Sequence, residues 1–514
     1  MNQKENKSLC LTKYSPASRS YWIGGVDQPQ YAHLDQDLSV DVAVIGGGIV
    51  GITAAWLLKQ AGISVAVLEA GRILRGTTGH STAKVTSQHG MIYEKIIDTM
   101  GEELAKQYAE ANEHAIRFIA GLVEKKKIDC DFSWQPAYVY TQSAARARML
   151  MRETNTASRL GIKASFTESL PLPFKIEGAM KFSDQAQFHP VKYLMALSAE
   201  IPDHRSHIFE QTRVIDLEAG TPNRLITANK KKITATDVII ASHYPFYDKP
   251  GLYFIRMHAE RSYVLAAIIK EVLPEGMFIS AEQPTRSLRT QPSDEGNLIL
   301  IGGDSHKTGH GRSTLKHYEA LCQFAATHFQ VEELLFRWSA QDCMTLDGIP
   351  YIGHLTSDHP GVYVATGFGK WGMTNGTAAA IMLRDLIVKG DSPWLPVYNP
   401  SRIRPRAAAT DFVVQTADVA AQFIAGKLFP NSRELNLLPG QGKVVKWKNQ
   451  RAGAFCDDLG QMHLVDTTCT HMGCELAWND AEKSWDCPCH GSRFSYTGRI
   501  LEGPAVKPLK KIEE

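Results

Sequence analysis

The 514-residue chain predicts an α/β protein of about three folding units. These are a nucleotide-binding unit, interleaved segments that mix strands with helices, and a small all-β unit near the C-terminus. Three observations carry the expectation. A buried-strand pattern, VDVAVI (40–45), runs into three glycines and an apolar helical stretch. Across about residues 90–210 and 245–345 strand-like runs alternate with helical ones, such as LILIGG (298–303) and ALCQFAATHF (320–329). Around a crowd of cysteines, short strands such as KVVKWK (443–448) and QMHLVD (461–466) suggest an antiparallel barrel.

The first unit reads SVDVAVIGGGIVGITAAWLLKQAGISVAVLE (39–69). Val40–Ile45 fits a strand buried on both faces, Ile49–Gln60 a helix that stops near Gly62, and Ile63–Leu68 a second strand ending in Glu69. In that context G-x-G-x-x-G is a specific dinucleotide signal. Gly46 permits the tight turn, Gly48 lets backbone approach a pyrophosphate, and Gly51 lets the helix pack on the strand. The helix N-terminus offers N–H groups and a positive partial charge to the phosphates, and Glu69 is placed to accept ribose hydroxyls. No second G-x-G-x-x-G follows: GGDSHKTGHG (302–311) has the wrong spacing and no apolar helix behind it.

Composition sets outer limits. Hydrophobic residues are 44% and charged residues 21%, and a net charge of +2 makes no case for nucleic acid. The opening MNQKENKSLCLTKY lacks an apolar leader region, so the expected address is the cytoplasm. No transmembrane segment is expected, because the most apolar stretch, FVVQTADVAAQFIAGKLF (412–429), carries Asp418 and Lys427. Cys10, Cys130, Cys322 and Cys343 are isolated in sequence and read as inert thiols.

After Glu69 comes AGRILRGTTGHSTAKVT (70–86), a Gly/Ser/Thr-rich loop that a nicotinamide dehydrogenase does not need. Such a loop resembles flavoproteins of the glycine oxidase and D-amino-acid oxidase family. The resemblance recurs at Ser20-Tyr21-Trp22, Thr212-Arg213-Val214, ATDVIIAS (235–242), DGIPYIG (347–353) and GVYVATGFGKWGMTNG (361–376). It implies an FAD-binding Rossmann-like domain of the glutathione-reductase type, with an antiparallel-sheet substrate domain. It also implies that Thr78 and Gly79 wrap the pyrophosphate and that the Val214 backbone meets the adenine. Gly367, Gly369, Lys370, Gly372 and Met373 then close the flavin site, with the helix starting near Met373 directed at the flavin. The family's carboxylate-clamping arginine is missing from Trp338-Ser-Ala-Gln-Asp342, which favours an amine or a substrate gripped differently. Arg256, Arg261, Arg286 and Arg289 are the substitutes to consider, and His80 lies where some relatives attach flavin covalently.

Near the C-terminus CTHMGC (469–474) is followed by CPCHGSRF (487–494). Cys469, His471, Cys487 and His490 offer two thiolates and two imidazoles from two loops, a set that suits tetrahedral zinc or an iron–sulfur cluster. The fuller pattern resembles the Rieske proteins of cytochrome bc-type complexes. That resemblance implies a [2Fe–2S] cluster with Cys469 and Cys487 on one iron and His471 and His490 on the other. It also implies a Cys474–Cys489 disulfide over the cluster, Ser492 as a donor to a cluster sulfide, and Gly503-Pro504 shielding one flank. Phe494 replaces a tyrosine donor, which implies a potential below the full bc-type pattern.

The expected organisation is a flavoprotein unit over 30–390, a linker with an amphipathic helix over 391–433, and a Rieske unit over 434–514. The expected function is a dehydrogenase acting on a small amine or amino acid. Electrons would pass singly from reduced FAD to the cluster and on to an external acceptor. An electron-transfer component serving a partner enzyme is the alternative.

Overall fold

The computed structural model describes residues 16–311, 313–402, 419, 436–448 and 450–513, and the elements, counts and absences below are those of the described residues. Strand Leu38–Ile45 lies inside a mixed sheet in the order Tyr351–His354, Val362–Thr366, Lys232–Ile240, Leu38–Ile45, Val65–Leu68, His207–Phe209. From Val362–Thr366 onward these neighbours pair in parallel. Parallel strands are covered on both faces, which explains why Val42–Ile45 and Val65–Leu68 are buried throughout. Helix Ile49–Gln60 follows the glycine turn with ten of its twelve residues buried. It packs against helix Gly372–Lys389, and at Gly376 an added Cβ would meet Ile49 Cγ2 at 3.0 Å.

The second sheet is largely antiparallel. Its order is Ala17–Ser18, Val331–Thr345, Met257–Ile269, Asn297–Lys307, Arg286–Gln291, Met277–Ser280, Ser133–Thr141, Gly178–Gln187, Lys84–Val85. The register sets Val139, Ile279, Ser287, Gly302 and Val264 side by side across five strands. Among the described residues ahead of residue 30, Ala17 and Ser18 join this sheet by pairing with Phe336 and Arg337, and Trp22 is fully buried.

The C-terminal unit is two small antiparallel sheets. One holds Gly442–Trp447, Gln450–Cys456 and Met462–Val465, and the other Ala477–Asn479, Ser484–Asp486, Arg493–Ser495 and Ile500–Glu502. The opening of the expected linker is folded onto the flavoprotein: buried Arg402 bonds the Asp347 carboxylate at 2.8 and 3.0 Å. The helix expected within 410–429 lies outside the described residues, Val419 apart. No helix is long and apolar enough to cross a membrane.

Candidate cofactor sites

A cavity of about 1320 Å³ starts at the glycine turn, passes the 76–82 loop and ends against the second sheet, where Glu502, Pro504 and neighbours from the C-terminal unit close it. It exceeds the roughly 300–1,000 Å³ of a small-ligand pocket, so a dinucleotide and a substrate fit together. At its first end the turn is as tight as the sequence requires. Gly46 has φ +111°, and a Cβ on Gly51 would stand 1.8 Å from Gly46 O. Glu69, at the end of the second strand, accepts the Gly47 N–H at 2.8 Å and the Gly71 N–H at 2.7 Å and lines the cavity. Burial raises its pKa, and those two N–H groups oppose the rise. Thr78 Oγ1 accepts the Ile49 N–H at 3.0 Å, tying the 70–86 loop to the helix start.

Of the residues expected at the flavin, Gly46, Gly48, Glu69, Thr78, Val214, Gly369, Lys370, Gly372 and Met373 line the cavity. Gly51, Gly79 and Gly367 do not. They stand behind its wall, where a Cβ would press on Gly46 O, Leu74 O and Thr345 Cγ2. Lys370 is paired with Glu260 at 3.0 Å. His258 and Lys370 together bring that glutamate's carboxyl down to about 2. His80 lines the cavity with Nδ1 2.9 Å from Gly76 O. Of the four arginines only Arg261 lines the cavity. Arg256 reaches Gly251 O and Pro400 O, Arg286 pairs with Asp304, and Arg289 is bonded to Thr82 O, Ala83 O and Gln291.

The two cysteine loops share one hydrogen-bond pattern. Cys469 N–H bonds Cys474 O and Gly473 N–H bonds Cys469 O, at 2.8 and 2.9 Å; Cys487 N–H bonds Ser492 O and Gly491 N–H bonds Cys487 O, at 2.8 and 3.0 Å. Cys474 and Cys489 are disulfide-bonded, so the loops are joined, and Cys469 and Cys487 are buried free thiols. The two thiols shift each other's ionisation, Cys469 downward and Cys487 upward, and the neighbouring backbone N–H groups of His471, Cys489 and His490 favour the thiolates. The His471 and His490 rings lie 5.0 Å apart, and both Nδ1 atoms are buried with no hydrogen-bond partner. A metal bound at Nδ1 answers that deficit, so these groups fit a two-cysteine, two-histidine cluster. Ser492 Oγ accepts the Ala505 N–H at 3.0 Å, and its hydroxyl favours the Cys469 thiolate. Cys322, expected as an isolated thiol, is disulfide-bonded instead; a cysteine isolated in sequence carries no local mark of pairing.

The loops are docked on the flavoprotein. His471 Nε2 is 3.0 Å from the Asp248 carboxylate, and His490 meets Phe254 edge-on at 6.1 Å. Gln341 Nε2 donates to Gly491 O at 2.9 Å, while Gln341 O accepts the Thr77 hydroxyl at 3.1 Å. One residue thus bridges the flavin loop and the cluster loop. Asp480 accepts the Thr314 and Leu315 N–H groups at 2.7 and 3.2 Å, so the C-terminal unit caps helix Leu315–His328. Glu502 is shared between Arg261, at 3.1 Å, and Arg493, at 2.6 Å. Burial alone would raise the Glu502 pKa; the two guanidiniums more than offset it and hold it at about 2. A carboxyl depressed from 4.5 adds stability above that value and loses it as pH falls toward 2. Glu502→Gln should destabilise the protein by roughly 2 kcal/mol near neutral pH, a discounted value because the side chain is a third exposed. Denaturant titration of the full chain at pH 7 checks this.

Residues 41–386 match the family described as FAD dependent oxidoreductase. The chain belongs to that family. Residues 428–513 match the Rieske [2Fe-2S] domain. This FAD dependent oxidoreductase is 43% identical over 498 residues to YhfW of Bacillus subtilis (strain 168), named as a Rieske 2Fe-2S iron-sulfur protein, covering 97% of this chain and 98% of that one. It is 23% identical to the gamma-glutamylputrescine oxidoreductase of Escherichia coli (strain K12), covering 70% of this chain and 86% of that one. Glycine oxidase from Geobacillus kaustophilus shares the fold, with a TM-score of 0.61 at 19% identity, over 71% of this chain and 99% of that one. The FAD dependent oxidoreductase therefore binds FAD in its larger part and a [2Fe–2S] cluster in its Rieske domain. Asp248, Gln341 and the Arg261–Glu502 contact are not legible in the sequence, because nothing local marks a residue whose partner lies more than 100 positions away.

Proposed function

We propose that the protein is a dehydrogenase that oxidises a small amine or amino acid and sends the electrons one at a time to its own cluster, held by Cys469, His471, Cys487 and His490, and then to an external acceptor. Bound FAD supplies a two-electron acceptor for hydride from carbon, and the cluster supplies a one-electron carrier. The observation that carries this reading is the docking of the histidine edge of the cluster loops on the flavoprotein, with Gln341 bridging Thr77 and Gly491. The contact is close. A Cβ on Gly491 would meet Ala259 Cβ at 2.4 Å, and one on Gly309 would meet Pro488 N at 2.6 Å. An amine donor is supported by the name of the gamma-glutamylputrescine relative and by the commitment of Arg261, the one candidate substitute arginine in the cavity wall, to Glu502.

Anaerobic mixing of the holoenzyme with a panel of amines and amino acids tests the reading. The true donor should bleach the flavin absorbance and then the cluster absorbance, and in air the enzyme should release little peroxide. Stoichiometric peroxide would refute the dehydrogenase. Bleaching by no amine, with a reduced partner protein able to bleach both centres, would favour the electron-transfer component.

A further inference from the structure

The cavity wall holds one lysine that neither cofactor site uses. Lys84, in the short strand Lys84–Val85, is buried, lines the cavity and reaches Ser287, in the row of residues that faces it. Its Nζ is hydrogen-bonded to two hydroxyls, Ser287 Oγ and, at 3.3 Å, Thr82 Oγ1. Two buried arginines that also line the cavity have carboxylates: Arg261 has Glu502, and Arg493 has Asp486 and Glu502. The groups facing Lys84 are different. Gln187 is its partner across the strand pair, and Arg289 donates at 2.9 Å to both Thr82 O and Ala83 O, fixing the backbone just ahead of it. Asp131, which does not line the cavity, is occupied by Lys192 and Gln291.

A buried ammonium without a counter-ion escapes its desolvation cost by losing the proton. Burial, and then the Arg289 charge, bring the Lys84 pKa down to about 7. The free amine is therefore well populated near neutral pH, inside the cavity that receives the substrate.

We propose that Lys84 is the proton acceptor of the reaction, taking a proton from the substrate's ammonium group. One substrate N–H bond breaks, its electron pair stays on nitrogen, and the proton passes to Lys84 Nζ. No electron changes hands in this step, and Nζ later returns the proton to solvent. The substrate is left as a free amine whose lone pair assists departure of hydride from the neighbouring carbon. Ser287 and Arg289 are positioning residues, one orienting Nζ and the other the strand that carries it. The inference rests on the amine reading given above.

The test is the rate of anaerobic flavin reduction by the donor found in the panel, followed in the holoenzyme as a function of pH. The wild type should show a limb that rises through about pH 7 and is flat above it. Lys84→Met should reduce flavin about 100- to 1,000-fold more slowly, with the limb gone and part of the rate restored by added imidazole. Lys84→Arg, charged at every accessible pH, should be as slow as the methionine variant. A methionine variant as fast as wild type overturns the proposal, and so does a wild-type profile without the limb. Because the wild-type profile decides the matter alone, poor folding of a variant does not shelter the proposal. A wild type that no amine bleaches sinks both readings; one that is bleached without the limb sinks this one only.

Discussion

Asp248→Asn should raise the midpoint potential of the cluster by on the order of 100 mV. The carboxylate lies 3.0 Å from His471 Nε2, and the opposite ring nitrogen is the one left without a partner. Carboxylate and iron would then be separated by one hydrogen bond, one imidazole ring and one metal–nitrogen bond, roughly 7 Å. At an effective dielectric constant near 20, a unit charge at that distance is worth about 2 kcal/mol against the extra electron of the reduced state. Asparagine keeps an oxygen acceptor for the ring N–H and removes the charge, so geometry is conserved while the penalty disappears. The effect adds to the expectation from Phe494, since a missing donor to sulfur and a nearby carboxylate both disfavour the reduced cluster. An EPR-monitored redox titration of the full chain measures the shift. An unchanged or lower potential would show that Asp248 does not act on the cluster.

Gly51→Ala should abolish FAD binding and destabilise the flavoprotein by about 3 kcal/mol or more. The added methyl would stand 1.8 Å from Gly46 O, a backbone atom inside the turn, so no side chain can swing aside to relieve it. Either the helix moves off the strand or the turn opens. Both withdraw the first-turn backbone from the cavity end where Glu69 waits. Gly25→Ala is the matched control, because nothing lies within 4 Å of its added Cβ. The flavin-to-protein absorbance ratio after purification, together with thermal unfolding, reads both effects. A variant that purifies yellow with normal flavin content would contradict the account of the turn.

Much of this protein is legible in its sequence. The strand, glycine turn and helix from residue 40 to residue 60 follow from local rules: a continuous apolar run, glycines where backbone must cross closely, and helical residues after them. The cysteine loops are equally local, because ligands held in one turn must be near neighbours in sequence, and the matching hydrogen-bond patterns of 469–474 and 487–492 show that. Lys84 carries no signal in the sequence, because a single lysine near the Gly/Ser/Thr-rich stretch is unmarked without its burial.

The sequence by itself determined which cofactor chemistry each half supports, since that depends on residue types at short spacing. Only the tertiary structure decided how the halves meet. Asp248 on His471, Gln341 between Thr77 and Gly491, and Glu502 between two guanidiniums join residues from 9 to 264 positions apart. No periodicity or motif links such positions. Their proximity is set by how two surfaces pack, and so is the burial that leaves a lysine without a counter-ion.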